Sequence, residues 1–165
     1  MVYPNGSIRI IDRSKNIFKL SQGEYIAPEK IEQIMTLSPM IAQCFVYGNS
    51  LQNNVVAVVC PEPAWAEQWA RDHSSDKKTG AADLATLCKD AEMLAEIKRD
   101  MLRLATENKL SSLEKPKEIV LHHEQFDLEN GAITSTFKLK RNVAFELRKD
   151  LIDMMYEKIK AAEAK

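Results

Sequence analysis

The chain has 165 residues, enough for one domain with a real core. Hydrophobic residues make up 45% and charged residues 28%, a balance that fits a globular domain and excludes a low-hydrophobicity disordered chain. The net charge of −1 supplies no overall field toward nucleic acid or anionic membrane, and no apolar run is long enough for a transmembrane segment.

Residues 1–6 are polar and too short for a signal peptide, so the expected location is intracellular, either cytoplasmic or peripheral on an organelle membrane. Pro4, Asn5, Gly6 and Ser7 read as a turn. Residues 7–12 alternate as a short strand, with Ile8 and Ile10 on one face, and residues 16–20 can return against it. Residues 21–24 form a loop around Gly23. Pro28 suits the first position of a helix, and Ile31, Ile34 and Met35 continue it at helical spacing to about Leu37.

Residues 41–47 and 55–60 are apolar, β-branched and aromatic, and the polar stretch between them makes a hairpin buried on both faces. A helix follows Pro61, with Trp65 and Trp69 one turn apart as a core or interface stripe. Residues 72–80 are a polar surface loop, and Leu84 with Leu87 suggests a short helix. Leu94, Ile97, Met101 and Leu104 step by three and four, the clearest helical signal in the chain. Residues 118–122 read as a strand, 127–131 as a turn and 133–140 as an irregular Thr- and Lys-rich segment. Val143, Leu147, Leu151, Met154 and Met155 mark a final helix. The order does not alternate strictly, so the expected class is α+β: a small mixed or antiparallel sheet with helices packed on it, preceded by an N-terminal β-hairpin.

Cys44, Cys60 and Cys88 have no metal-ligand spacing. Their odd number argues against a full disulfide set, and Cys44 and Cys60 read as small buried hydrophobes. His122 and His123 are adjacent, so on a strand they point to opposite faces and cannot jointly hold a metal. No Gly-rich phosphate loop, Ser-His-Asp signature or metal site is present, and the chain looks empty as a complete enzyme.

Two lysine-bearing segments remain. In the first, Arg13 can make a forked contact to a phosphate or to ribose hydroxyls, and Gly23 allows close backbone approach. On physics alone this segment reads as a solvated hairpin with an ordinary turn glycine. In the second, Lys138 and Lys140 share a side if the segment is extended, whereas Lys138 and Arg141 are neighbours if it is helical. On physics alone these residues read better as a basic cap before the last helix.

The string IDRSKNIFKLSQGEYIAPEKIE, residues 11–32, closely resembles the hinge motif of the adenylate-forming (AMP-binding) superfamily, in the version of its long-chain fatty acyl-CoA synthetases. Residues 121–126, Asn130, Gly131 and residues 134–141 resemble the C-terminal motif of the same branch. The resemblance implies the C-terminal domain of an ATP-dependent long-chain fatty acid–CoA ligase, with residues 1–20 as a hinge-proximal β-hairpin and residues 21–165 as a mobile lid. Such a lid closes the active site while fatty acid and ATP form an acyl-adenylate, then rotates for thioester formation with CoA.

Carried over by position, Arg13 contacts the ATP ribose and Lys15 is the hinge. Lys138 enters the active site for adenylation, with Lys140 as the fallback. Gln22, Gly23 and Glu24 line the CoA path, and Lys19 serves the second half-reaction. The implied partners are fatty acid, ATP, CoA and the enzyme's own N-terminal AMP-binding domain. That domain would hold Mg2+, the phosphate-binding loop and the acyl tunnel, so the isolated chain is expected to be inactive. Two positions depart from the family: Phe137 stands where many relatives carry glycine, and Ser135 where proline is frequent. Alternatives are a non-catalytic α+β interaction module, or the lid of an adenylation domain that serves a carrier protein.

Overall fold

A computed structural model describes residues 16–73 and 83–164. The strand expected at residues 7–12 and most of the polar loop at 72–80 lie outside them. An N-terminal antiparallel hairpin is present, formed by β1 (Phe18–Lys19) and β2 (Tyr25–Ile26) with Phe18 opposite Ile26 and Lys19 opposite Tyr25. Residues 16–20 therefore pair forward, with the segment after the Gly23 loop. Helix α1 (Pro28–Met35) follows at once, with proline in its first turn, where a missing N–H costs nothing.

The second sheet has the order β3 (Ile41–Tyr47), β4 (Val56–Pro61), β5 (Glu118–Leu121). β3 and β4 are antiparallel and β4 and β5 parallel, so the sheet is mixed. The β4–β5 crossover carries α2 (Pro63–His73), α3 (Leu84–Leu87) and α4 (Ala91–Glu107). The chain ends in α5 (Arg141–Glu163).

The central strand β4 is buried along its whole length, and its alternation divides the core. Ala57 and Val59 face Ile31 and Met35 of α1 and Ile97 and Met101 of α4. Val56 and Val58 face Ala144, Ile152 and Met155 of α5 across Phe45 and Phe126. The result is an α+β domain with helices on both faces of a three-stranded sheet. Asp90 caps α4 by accepting from the Glu92 and Met93 amides at 2.8 and 3.0 Å. Cys44 and Cys60 are buried thiols and Cys88 is half-buried. Trp69 is buried, donates to Glu96 at 2.7 Å and stacks on His73, while Trp65 packs against the same core.

The final helix is present as expected, and its buried stripe runs through Ala144, Arg148, Ile152, Met155 and Ile159, leaving Leu147 and Met154 exposed. Arg148 can occupy a core position because its guanidinium donates to the Glu124 carbonyl at 2.8 Å and lies over the Phe126 ring. One expectation needs correction: His122 and His123 do not diverge. β5 ends at Leu121, the chain bends there, and the two rings stack at 4.9 Å. Burial, followed by the charge of Arg148, lowers the pKa of His122 and favours its neutral form. Among the described residues no group of His, Cys, Asp and Glu could hold a metal ion.

Candidate functional site

The first segment is a tight turn between β1 and β2. The Leu20 amide donates to the Glu24 carbonyl at 2.8 Å and the Gly23 amide to the Leu20 carbonyl at 2.9 Å. Gly23 has φ +95°, a conformation that glycine adopts without steric cost. The turn is braced from outside: Ser21 N–H donates to the Gln52 carbonyl at 3.1 Å and Gln22 Nε2 to the Asn53 carbonyl at 3.0 Å. The Ser21 hydroxyl also donates to Asn53 Oδ1. Lys19, Gln22 and Glu24 are exposed around the glycine, and Lys19 Nζ lies 5.5 Å from the centre of the Tyr25 ring. Arg13 and Lys15 lie outside the described residues.

The second segment is a small loop closed by an antiparallel bridge between Ile133 and Leu139. Thr134 N–H donates to the Lys138 carbonyl at 2.9 Å, Phe137 N–H to the Thr134 carbonyl at 2.8 Å, and Lys138 N–H to Thr134 Oγ1 at 3.1 Å. Phe137 takes φ +56° and is 81% exposed. This left-handed conformation gives a physical reason for a preference for glycine at that position. Ahead of the loop, Asn130 fixes a turn by accepting from the Asp127 and Ala132 amides and donating to the Gln125 carbonyl.

Lys138 and Lys140 are both exposed, and the ion pairs among the described residues include neither them nor Lys19. Arg141 is engaged instead: it pairs with Glu32 of α1 at 2.9 Å. Burial drives the Glu32 carboxyl above its ordinary pKa, against the pull of Arg141 and the Val46 amide.

A cleft of about 540 Å³ runs between the two segments, walled by Asn16, Phe18, Tyr47, Gly48, Lys140 and Phe145. Gly23, Lys19 and Lys138 are not part of its lining. The structure therefore brings the base of the first hairpin to the foot of the second loop, while the tips that carry the candidate residues remain separate. Sequence reasoning missed Gly48, which it read only as a turn residue. A Cβ there would stand 2.5 Å from Phe18 Cε2 and 3.0 Å from its Cζ, so any side chain at this position would push the Phe18 ring away. It assigned no role to Glu32, Asn53 or Asn130, whose partners are far away in the chain or are backbone groups.

Residues 15–126 match the family described as AMP-binding enzyme C-terminal domain. The chain is 43% identical over 160 residues to the peroxisomal long chain acyl-CoA synthetase 6 of Arabidopsis thaliana, covering 97% of this chain and 22% of that protein. It is 42% identical over 157 residues to long-chain-fatty-acid–CoA ligase 1 of Homo sapiens, covering 95% and 22%. It thus spans about a fifth of the length of these curated relatives. Among solved structures, it superposes on the adenylation domain of a carboxylate reductase from Mycobacterium chelonae with a TM-score of 0.73 and 31% identity, over 89% of this chain and 20% of that one. The A-PCP didomain of the Segniliparus rugosus carboxylic acid reductase in complex with AMP gives a TM-score of 0.73 at 27% identity, over 93% and 19%. No helix among the described residues is long and apolar enough to cross a membrane.

Proposed function

The chain belongs to the AMP-binding enzyme C-terminal domain family, and from that premise we propose that it is the mobile lid of an ATP-dependent long-chain fatty acid–CoA ligase. The observation that carries the reading is the arrangement of the two loops. They are separate exposed turns, one at the tip of the β1–β2 hairpin and one closed by the isolated Ile133–Leu139 bridge, and each bears a lysine without a carboxylate partner among the described residues. One body with two such faces can serve two half-reactions by turning about a hinge.

In the first orientation Lys138 reaches the reacting carboxylate and phosphate oxygens and stabilises the negative charge that develops there. Arg13 holds the ribose of ATP. Rotation about Lys15 withdraws Lys138 and brings up the Gly23 turn. Gln22, Gly23 and Glu24 then line the path of the CoA thiol arm, and Lys19 serves thioester formation from the same strand. ATP, CoA and fatty acid meet on the large N-terminal region that the curated relatives carry, and any Mg2+ bound with the nucleotide belongs there.

The test uses the full-length enzyme and measures the half-reactions separately. Lys138→Ala slows pyrophosphate release from ATP and fatty acid by about a hundredfold, while thioester formation from supplied acyl-adenylate and CoA changes by no more than about threefold. Lys140→Ala has the smaller effect on adenylation. Equal loss in both half-reactions refutes the role given to Lys138, and acyl-adenylate formation by the isolated chain refutes the lid reading. A carrier-protein acceptor is the alternative outcome: acyl transfer would then need a phosphopantetheinylated protein and fail with free CoA.

A further inference from the structure

Glu32 and Arg141 are 109 residues apart and meet where α1 faces the foot of the Lys138 loop. Arg141 Nη1 donates to Glu32 Oε1 at 2.9 Å and Oε2 at 3.0 Å, and Nη2 donates to the Val46 carbonyl. The Val46 amide donates to Glu32 Oε1 at 2.8 Å. The guanidinium also lies over the Phe45 ring, 4.9 Å from its centre. Only 16% of the Arg141 side chain and 12% of the Glu32 side chain remain exposed. A planar guanidinium can satisfy carboxylate, carbonyl and ring together, which a lysine ammonium cannot.

Local chemistry does not explain this arginine. It is the first residue of α5, where the positive end of the helix dipole disfavours a cation. Lys140, at the N-cap, makes no side-chain cap bond, and the first turn of α5 has no acidic residue. A buried ion pair is also weak grounds for stability, because desolvation offsets most of the attraction. What the pair does hold is the outgoing foot of the Lys138 loop, three residues downstream of that lysine. The other foot is fixed by the Ile133–Leu139 bridge and by Lys140 N–H donating to the Ala132 carbonyl at 2.7 Å.

We propose that the Glu32–Arg141 pair is a positioning device for Lys138, anchoring the foot of its loop to α1 and β3 so that the ammonium meets the reacting oxygens in one geometry. Arg141 and Glu32 are positioning residues: they touch no substrate and act through Lys138. The inference rests on the adenylation role given to Lys138 above.

The experiment uses the full-length enzyme with Arg141→Met, Glu32→Gln, Lys138→Ala and the double variant Lys138→Ala/Arg141→Met. Each is assayed for pyrophosphate release and for thioester formation from supplied acyl-adenylate, and melting temperature is recorded. Arg141→Met slows adenylation by roughly tenfold to a hundredfold, the scale expected from an ångström of misplacement, and leaves thioester formation within about threefold. The double variant is no slower in adenylation than Lys138→Ala alone, since a missing ammonium cannot be misplaced. If Arg141→Met does not fold, Glu32→Gln carries the same comparison, with a smaller loss confined to adenylation.

Equal losses in both half-reactions, or full additivity in the double variant, mean that the pair only stabilises the fold and overturn the proposal. If Lys138→Ala itself leaves adenylation unchanged, the functional reading of that lysine fails, and the proposal with it.

Discussion

Replacing Gly48 with alanine tests whether the first hairpin is seated by shape. The Gly48 backbone lies outside the left-handed region, so any penalty comes from space alone. The added methyl would stand 2.5 Å from Phe18 Cε2, 3.0 Å from Cζ and 3.2 Å from Leu20 Cδ2. Ordinary carbon contacts are about 3.5–4.0 Å, so the ring must retreat by about 1 Å. Phe18 belongs to a two-residue strand that packs on the core, and Leu20 is fully buried, so the retreat shifts the hairpin as a unit. Overpacking of this kind costs about 1–3 kcal/mol. For a chain of this length that lowers the melting temperature by about 2–4 °C per kcal/mol. The assay is thermal and urea unfolding of Gly48→Ala alone and in a Phe18→Ala background, where the ring is gone and the added methyl has room. A coupling energy of about 1 kcal/mol or more is expected between the two sites. The same loss in both backgrounds, or no loss in either, would show that Phe18 does not rest on Gly48.

Phe137→Gly removes the left-handed strain but adds freedom to the unfolded chain, so stability changes by less than about 0.5 kcal/mol, whereas Phe137→Val, β-branched at φ +56°, destabilises by more than about 1 kcal/mol in urea titration. Burial works to raise the pKa of Glu118, but hydrogen bonds and charges from Lys98 and Lys158 outweigh it and hold the carboxyl below its ordinary value. A depressed carboxylate stabilises the fold above the unfolded value and loses that contribution as pH falls, so wild type and Glu118→Gln differ at pH ~7 and converge between pH ~5 and ~3 in urea melts. Burial pushes the Cys60 thiol up to about 12 and the Cys44 thiol well above its usual value. Iodoacetamide at pH ~8 therefore labels neither in the native protein and both after unfolding, as read by mass spectrometry.

The elements legible in sequence were those whose cause is local. Pro28 with Ile31 and Met35 marks α1, the four-residue stepping to Leu104 marks α4, and two β-branched runs mark β3 and β4. The final helix was legible, but its buried face was not, because periodicity alone gives Arg148 no claim to the interior, whereas the fold supplies a carbonyl and a ring for that arginine. The histidine pair was misjudged because the period-two rule stops where β5 stops, at Leu121. At the candidate site, Gly23 and the Lys138 loop were visible as turn and charge patterns. Gly48 was not, since nothing in a sequence says that Phe18 will rest on it, and Glu32 gave no sign that Arg141 would close on it from 109 residues away.

Among the described residues β3 has a strand partner, β4, on one side only, so its other side is a sheet edge there. An open edge presents unpaired amides and carbonyls on which another chain can build. At Val46 both groups are occupied by side chains: Glu32 accepts from the amide and Arg141 donates to the carbonyl. Further along, the Gln43 side chain holds the Phe126 segment to β3, trading hydrogen bonds with its backbone at 2.7 and 2.9 Å. Side chains thus act as a stopper on part of that edge against self-association. Stripping the ends from that stopper would bare a template for aggregation.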